Sequence, residues 1–529
     1  MKFTPALYCA FTFLLALARA ALAENTEQWG VYEVALKGPG DGNPFLDVRL
    51  SATFTDGTHS HEVEGFYDGD GMYRVRFMPE AAGEWRYETT SNRWPLTGKT
   101  GTFSVTAASP KNHGPVRVHN TYHFAYADGT PFRQIGTTSY SWCHQSDALE
   151  EQTLKTLAGA PFNKIRMCVL PRDPPMSNPQ RFPFAGTPPK QWDFAHFDPL
   201  FFQHLEKRVG QLRDLGIEAD LILFHPYGKQ WGFDTMDAAT DDRYVRYVVA
   251  RFAAFRNVWW SLANEYDFVR TKTEADWDRF FQIVQAGDPY AHLRSIHNGA
   301  RFYNNAQPWV THASIQNGAA VEEPGRAELY RDVWRKPVVY DEVKYEGNIE
   351  SRWGRLTGQE MVDRFWAGTV AGTYVGHSEC LKGEDVNMWL GGGGVLRGES
   401  PTRLAFLRQV LDDAPADGIE PIDKWQDSNM GGQPGVYYLL YFGQNAPKWW
   451  TFRLPKSGVT AGMKFKAEIL DTWAMTVTPV EGEFATKKKD NYSFVDEKGR
   501  SIALPAKPAL ALRIRRVEGK KTGEEVPVE

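Results

Sequence analysis

Two apolar runs in this chain each stop at a carboxylate. Val258-Trp259-Trp260-Ser261-Leu262-Ala263-Asn264-Glu265 and Lys336-Pro337-Val338-Val339-Tyr340-Asp341-Glu342 both have the length of a buried parallel strand. In an α/β barrel the strand ends form the reactive face, so two strands ending in Glu set a proton donor and a nucleophile over one pocket. That pair of groups is the equipment for cleaving a glycosidic bond with retention at the anomeric carbon.

The same runs contain rivals. A Glu at a strand end is most often solvated or salt-bridged, and it is the pairing that gives Glu265 and Glu342 a catalytic reading. Asp341 and Glu346 compete with Glu342. Side chains alternate along a regular strand, so a Glu342 that points into the barrel brings Tyr340 and Val338 with it and sends Asp341 and Val339 toward the helices. Glu346 lies beyond the strand on a loop with Tyr345 and Gly347, which suits a sugar contact better than nucleophilic attack. Asn264 and Glu265 are consecutive, and share one pocket only if the strand kinks there. Arg166, flanked by Ile165 and Met167, needs a carboxylate partner if it is buried.

These residues require a scaffold of alternating strands and helices, and residues 115–415 supply that pattern. Strands are expected to end near Thr138, Leu170, Phe224, Glu265, Asn298, Gln316, Glu342 and Glu379. Helical segments are expected over 148–158, 200–215, 244–255, 277–285, 327–334 and 360–370, with 404–411 closing the ring. No helix is evident between the fifth and sixth strands. Gly391-Gly392-Gly393-Gly394 reads as a flexible loop at the reactive end. Ahead of the barrel, residues 24–110 alternate as short strands with Asp-Gly turns at 56–57 and 70–71, an immunoglobulin-like β-sandwich without paired cysteines. After it, 417–529 reads as an antiparallel β-sandwich. The fold class is therefore multidomain: N-terminal β-sandwich, central (β/α)8 barrel, C-terminal antiparallel β-sandwich.

A chain of 529 residues with 42% hydrophobic content and a net charge of -5 has room for several cores and shows no basic surface for nucleic acid. The partner expected is an uncharged polymer, and the 18 Trp, 22 Tyr and 32 Phe supply rings that stack on sugars or fill cores. Trp142, Trp231 and Trp389 fall in loops at the reactive end. Residues 1–23 read as a signal peptide, with Lys2 at the start, an apolar run from Leu7 to Leu17 and an Ala21-Leu22-Ala23 cleavage site. The mature protein is then periplasmic or extracellular. Later stretches are too short to span a bilayer. Removal of that segment leaves Cys143, Cys168 and Cys380. The first and last follow neighbouring strands one and eight and are the pair expected if any disulfide forms. No zinc spacing, Gly-x-Ser-x-Gly elbow, dinucleotide fingerprint or His-x-His on strand one is present, so neither metal nor cofactor is expected.

Asn-Glu on the fourth strand and Glu on the seventh resemble clan-A retaining glycoside hydrolases. The order of domains, with Trp-Ser-Leu-Ala-Asn-Glu-Tyr-Asp and Lys-Pro-Val-Val-Tyr-Asp-Glu in the barrel, is similar to bacterial glycoside hydrolases near the apiosidase-like group. The resemblance implies Glu265 as general acid/base, Glu342 as nucleophile, Asn264 on the sugar 2-hydroxyl and Arg166 stabilising the nucleophile. It also implies that His225, His312 and His377, at strand ends, bind sugar; Trp389 and Glu346 are sugar-contact candidates by their loop positions. The sixth-strand segment His312-Ala313-Ser314-Ile315-Gln316 lacks the Tyr that orients the nucleophile in that clan, leaving Tyr340, Tyr345 or His312 for that work. The substrate implied is an oligo- or polysaccharide, a furanoside or another plant or algal wall glycan. A carbohydrate-binding protein on a glycosidase scaffold is the alternative, and a transglycosylase a third reading.

Overall fold

The computed structural model describes residues 25–316, 324–383, 387–422 and 429–517. Residues 1–23, expected to be a signal peptide, lie outside them. The barrel strands, in chain order, are Gly136–Thr138, Lys164–Cys168, Glu218–Phe224, Val258–Ala263, Arg294–Ser295, Ala313–Gln316, Val338–Glu342 and Tyr374–His377. They form one parallel sheet, and a parallel bridge from His297 to Ser314 joins its two edges and closes the ring. The fifth strand is short and its pairing resumes at His297. The eighth ends at His377, two residues before the expected Glu379, which pairs instead in a small sheet beside Glu346.

Helices Asp147–Gly159, Pro199–Asp214, Ala238–Phe252, Glu274–Gly287, Pro324–Trp334, Gly358–Val370 and Ser400–Asp412 pack around the strands. Among the described residues no helix joins the fifth strand to the sixth. The helix at 199–214 shows why these segments form. Asp198 accepts from the Leu200 N–H, Pro199 occupies the first turn, and Phe201, Phe202, Leu205, Val209 and Leu212 recur on the buried face. The helix expected from 244 starts earlier, at Ala238, because Asp237 caps the Thr240 N–H.

One end of the barrel is plugged. A hairpin of Val116–His119 and His123–Tyr126 inserts Phe124, which packs with Phe132, Trp259, Leu293 and Val339.

The N-terminal β domain packs a five-stranded against a three-stranded sheet, with Phe54, Phe77, Trp85 and Phe103 between them. Buried ion pairs fasten it to the barrel: Arg251 reaches Asp68 at 2.8 Å and Glu206 at 2.6 Å, and Arg76 reaches Glu206 at 2.7 Å. The C-terminal domain is a largely antiparallel sheet with its own core around Phe452, Phe465, Phe484 and Leu512. Tyr441 ties it to the barrel by donating to Asp363 at 2.7 Å. No described helix is long and apolar enough to cross a membrane.

The expected Cys143–Cys380 disulfide is absent. All three described cysteines are free and buried. Cys143 lies over the Cys168 carbonyl, whereas Cys380 packs with Tyr140, Tyr345 and Leu390, so the two thiols occupy separate clusters. The glycine run is corrected as well. Gly391 to Gly394 are buried and hold the loop after strand one, through Tyr140 N–H to Leu390 O at 2.9 Å and Ser141 N–H to Gly391 O at 2.8 Å. A β-carbon on Gly393, whose φ is +72°, would fall 2.4 Å from Thr153 Oγ1. These glycines are required for close approach.

Candidate active site

Two backbone irregularities bring the acidic residues together. Glu265 follows the fourth strand with φ 48° and ψ 55°. This left-handed residue breaks the alternation, so Asn264 and Glu265 turn to the same pocket. On the seventh strand, Ile315 pairs with Tyr340 but Gln316 pairs with Glu342. Asp341 is the extra residue of a bulge, and Glu342 swings inward beyond it.

The bulge overturns the expected facing of that strand. Asp341 and Val339 point into the barrel, while Tyr340 and Val338 join the apolar layer between sheet and helices. Tyr340 is buried with its hydroxyl unpartnered and does not reach the site. Asp341 lies in a charge cluster beneath it. Lys164 donates to Asp341 and Asp220, each at 2.9 Å, and Ser314 donates to Asp341 at 2.5 Å. Burial would raise the Asp341 carboxyl, but Lys164 and Arg166 override it and hold the group well below the usual range.

Above that cluster Arg166 completes the floor. Its Nη2 donates to Asn264 Oδ1 at 3.2 Å and its Nη1 lies 3.9 Å from Glu342 Oε1. Gln316 links the two candidate carboxylates: with its amide nitrogen turned toward them it donates to Glu342 Oε2 at 2.9 Å and to Glu265 Oε1 at 3.2 Å. One oxygen of each carboxyl group is thereby held close to the other across the pocket. Glu265 is 6% exposed and Glu342 4%. Burial, then the Glu342 charge, push the Glu265 carboxyl up to about 8, so it stays protonated at neutral pH.

Besides Gln316, which the sequence marked only as a strand end, four residues of this site escaped the sequence reading. Tyr140, just past strand one, donates to Glu342 Oε1 and lies 3.3 Å from Asn264 Oδ1; it takes the orienting place expected of Tyr340, Tyr345 or His312, with Tyr345 behind it against Tyr140 and Glu342. Tyr227 donates to Glu265 Oε2. His297 stands with Nε2 3.5 Å from Glu342 Oε1, and burial, with Arg166 nearby, lowers its ring to about 4. Arg172 stacks over the rings of Tyr140 and Tyr227, 4.4 Å from each. His297 immediately precedes Asn298, and its place at a strand end was the available signal. The loop residues carried none.

The other expected contacts lie elsewhere. His312 precedes the sixth strand at the plugged end, edge-on to Phe124 and Trp259. His377 stacks on Phe162 at 4.7 Å and bonds Thr137 at 3.0 Å, because the alternation of strand eight turns it to the helices. Trp389 is fully buried and donates to Thr137 at 2.9 Å, and Trp142 and Trp231 are buried too. His225 borders the site, but Leu170 O and the Tyr227 N–H occupy its ring nitrogens at 2.9 and 3.1 Å. Glu346 caps the closing helix, accepting from Glu399 N–H at 2.7 Å and Ser400 Oγ at 2.5 Å. Glu346, His377 and Glu379 have ligand atoms within 4.8 Å of one another, but Arg397 and Gly398 N–H groups hold Glu379 as Glu399 and Ser400 hold Glu346. These carboxylates anchor a loop.

An eight-stranded barrel with two buried carboxyl groups facing across one pocket is the construction of a barrel glycoside hydrolase. Residues 118–378 match the family described as "Apiosidase-like, catalytic domain". Residues 25–92 and 425–515 match two domains of unknown function, DUF5060 and DUF5605. A crystal structure of a candidate glycoside hydrolase from Bacteroides vulgatus ATCC 8482 is 44% identical, covering 93% of this chain and 100% of that one, with a TM-score of 0.90. A glycoside hydrolase family 5 structure from the same organism shares the fold at 16% identity, over 77% and 94% of the two chains and a TM-score of 0.57. No curated protein matches the chain. The chain belongs to the glycoside hydrolases, with a barrel of apiosidase-like type.

Proposed function

We propose that this protein is an exported, retaining glycoside hydrolase acting on O-glycosidic bonds of a plant or algal wall glycan. The observation that carries the mechanism is the Gln316 amide bonded to both Glu342 and Glu265, which holds the two carboxyl groups close across one pocket and so favours direct attack by Glu342 over attack by a water between them. Glu342 attacks the anomeric carbon while Glu265 gives its proton to the leaving oxygen, and a glycosyl ester forms on Glu342. Glu265, now ionised, takes a proton from water, which attacks the same carbon and expels Glu342. Two inversions give net retention.

Arg166, Tyr140 and His297 surround Glu342 and orient it, and Asn264 is placed for the sugar 2-hydroxyl. The glycan class rests on the family's apiosidase-like description and on nothing in the pocket. Export rests on the residue pattern of 1–23, and N-terminal sequencing of the secreted protein should begin at Glu24. The mechanism is tested by NMR of the first product formed from a substrate found by screening wall polysaccharides and aryl glycosides. A first product of retained configuration is expected, and one of inverted configuration overturns the reading.

A further inference from the structure

Outside the pocket, two more acids meet beside the loop that leads away from Glu342. Glu346 and Glu379 stand directly opposite each other in a short parallel pair. Glu346 is 4% exposed, Glu379 1% and the neighbouring His377 0%, and each of the three brings a ligand atom within 4.8 Å of those of the other two. The hydrogen bonds that anchor the loop do not neutralise this pair. Among the described residues its partners are N–H groups and one hydroxyl: Arg397 and Gly398 N–H for Glu379, and Glu399 N–H, Ser400 N–H and Ser400 Oγ for Glu346. Two carboxylates offer about eight lone pairs, so positions remain for another partner. Arg397 turns its guanidinium toward the Asn387 carbonyl, 3.4 Å away. Like charges directly opposite repel, and a buried carboxylate pair without a cation is costly.

A shared proton would relieve the repulsion, but His377 favours a metal ion. Its Nδ1 meets Thr137 Oγ1 at 3.0 Å, a hydroxyl that also accepts the Trp389 N–H at 2.9 Å. Its Nε2 is shut from solvent with no partner. An imidazole that donates from one nitrogen to a fixed oxygen presents the lone pair of the other, which is how a metal-bound histidine is held. A proton between the carboxylates would leave that nitrogen unused. Gly398 leaves room. A β-carbon there would fall 2.4 Å from Glu346 Oε2 and 2.4 Å from Glu379 Oε2, so a side chain at this position would fill the space that the two oxygens share.

We propose that Glu346, His377 and Glu379 bind one divalent transition-metal ion, Zn2+ before Mn2+, which fastens the loop after the seventh strand to the eighth strand and to the start of the closing helix. Two carboxylates cancel the charge of the ion, and the imidazole selects against Mg2+ and Ca2+, which prefer oxygen alone. The set joins a His-x-Glu on one segment to a Glu on another, which no local spacing marks. The ion is structural and takes no part in bond cleavage, so the site stands apart from the glycosidase reading.

The tag-free full chain, stripped with EDTA and dialysed, would be titrated by calorimetry with zinc, manganese, magnesium and calcium chlorides. One Zn2+ per chain is expected, with a Kd of about 1 μM or tighter, Mg2+ and Ca2+ at least about tenfold weaker, and a Tm raised by a few degrees in saturating Zn2+. Pulsed electron paramagnetic resonance of the Mn2+ complex should show coupling to a single imidazole nitrogen. His377→Phe keeps a ring to stack on Phe162 and removes the nitrogen ligand, and should weaken Zn2+ binding by about 100-fold or more. His204→Gln, in the other group of acids and histidine at Asp147 and Glu150, should leave binding unchanged. The proposal is overturned if Zn2+ uptake stays below about a tenth of an equivalent, if binding survives His377→Phe, if it is lost in His204→Gln, or if Ca2+ binds more tightly than Zn2+. Stoichiometry and nitrogen coupling on the unaltered protein decide the matter even where a variant fails to fold. Because binding is read without a glycan, its failure leaves the glycosidase reading untouched.

Discussion

At the residue scale, the two carboxyl groups differ by environment. Glu342 faces Arg166, Tyr140 and His297, whereas Glu265 is buried beside that negative charge and its carboxyl sits at about 8. Glu342→Ala should lose turnover by several orders of magnitude, and azide should restore part of it as a glycosyl azide of inverted configuration; normal turnover in this variant would show the nucleophile to be another residue. The rate constant kcat/KM should fall as pH rises through about 8, where Glu265 gives up its proton. Stability carries the same signature. With a folded pKa of about 8 against an ordinary 4.5, the folded state binds more protons than the unfolded chain between those values. The stability that proton contributes is full below about 4.5 and lost toward pH 8. Glu265→Gln removes this dependence, so its Tm advantage over the parent should widen from pH 5 to pH 8 in thermal scans, and a constant difference would contradict the assignment. Tyr140→Phe, which deprives Glu342 of a donor, should lower kcat/KM by about 10- to 100-fold. Tyr340→Phe should change it less than twofold or so, since that hydroxyl meets no partner.

At the element scale, the bulge at Asp341 and the left-handed Glu265 aim the site, and the charge cluster below fixes both strands. Lys164 is shared by Asp220 on the third strand and Asp341 on the seventh, so it spans the barrel interior. Lys164→Met leaves two buried carboxylates with less compensation and should destabilise the protein by about 3 to 5 kcal/mol, read from the urea midpoint; a shift below about 1 kcal/mol would mean that the cluster relaxes without its cation. Much of this level was legible. Strand ends at Thr138, Phe224, Gln316 and Glu342 coincide with those observed, because apolar runs ended by polar residues mark buried parallel strands. The misplaced contacts have two causes. Strict alternation turns Tyr340 into the barrel and a single bulge reverses it, whereas His312 and His377 neighbour strand ends without facing the pocket. Which end and which face they occupy depends on how the barrel closes.

At the scale of the whole molecule, the N-terminal domain and the barrel are fastened through Arg251, which lies on a barrel helix and pairs with Asp68 of the β domain and Glu206 of the next helix inward. Arg251→Ala leaves Asp68 to Arg74 and Glu206 to Arg76. It should lower the melting temperature of the two domains together, and two separate calorimetric transitions would show that the interface does not couple them. What the sequence determined by itself was the order of domains, the barrel and the Glu265 and Glu342 pair, because hydrophobic period and strand-end chemistry are local properties of a chain. What only the tertiary structure decided was the company these groups keep. Tyr140, Tyr227, Arg172 and His297 come from four separate segments, and Gln316 meets both carboxylates only after the sixth and seventh strands pair across a bulge. Contacts between residues far apart in sequence are fixed by register, closure and packing, and no local pattern encodes them.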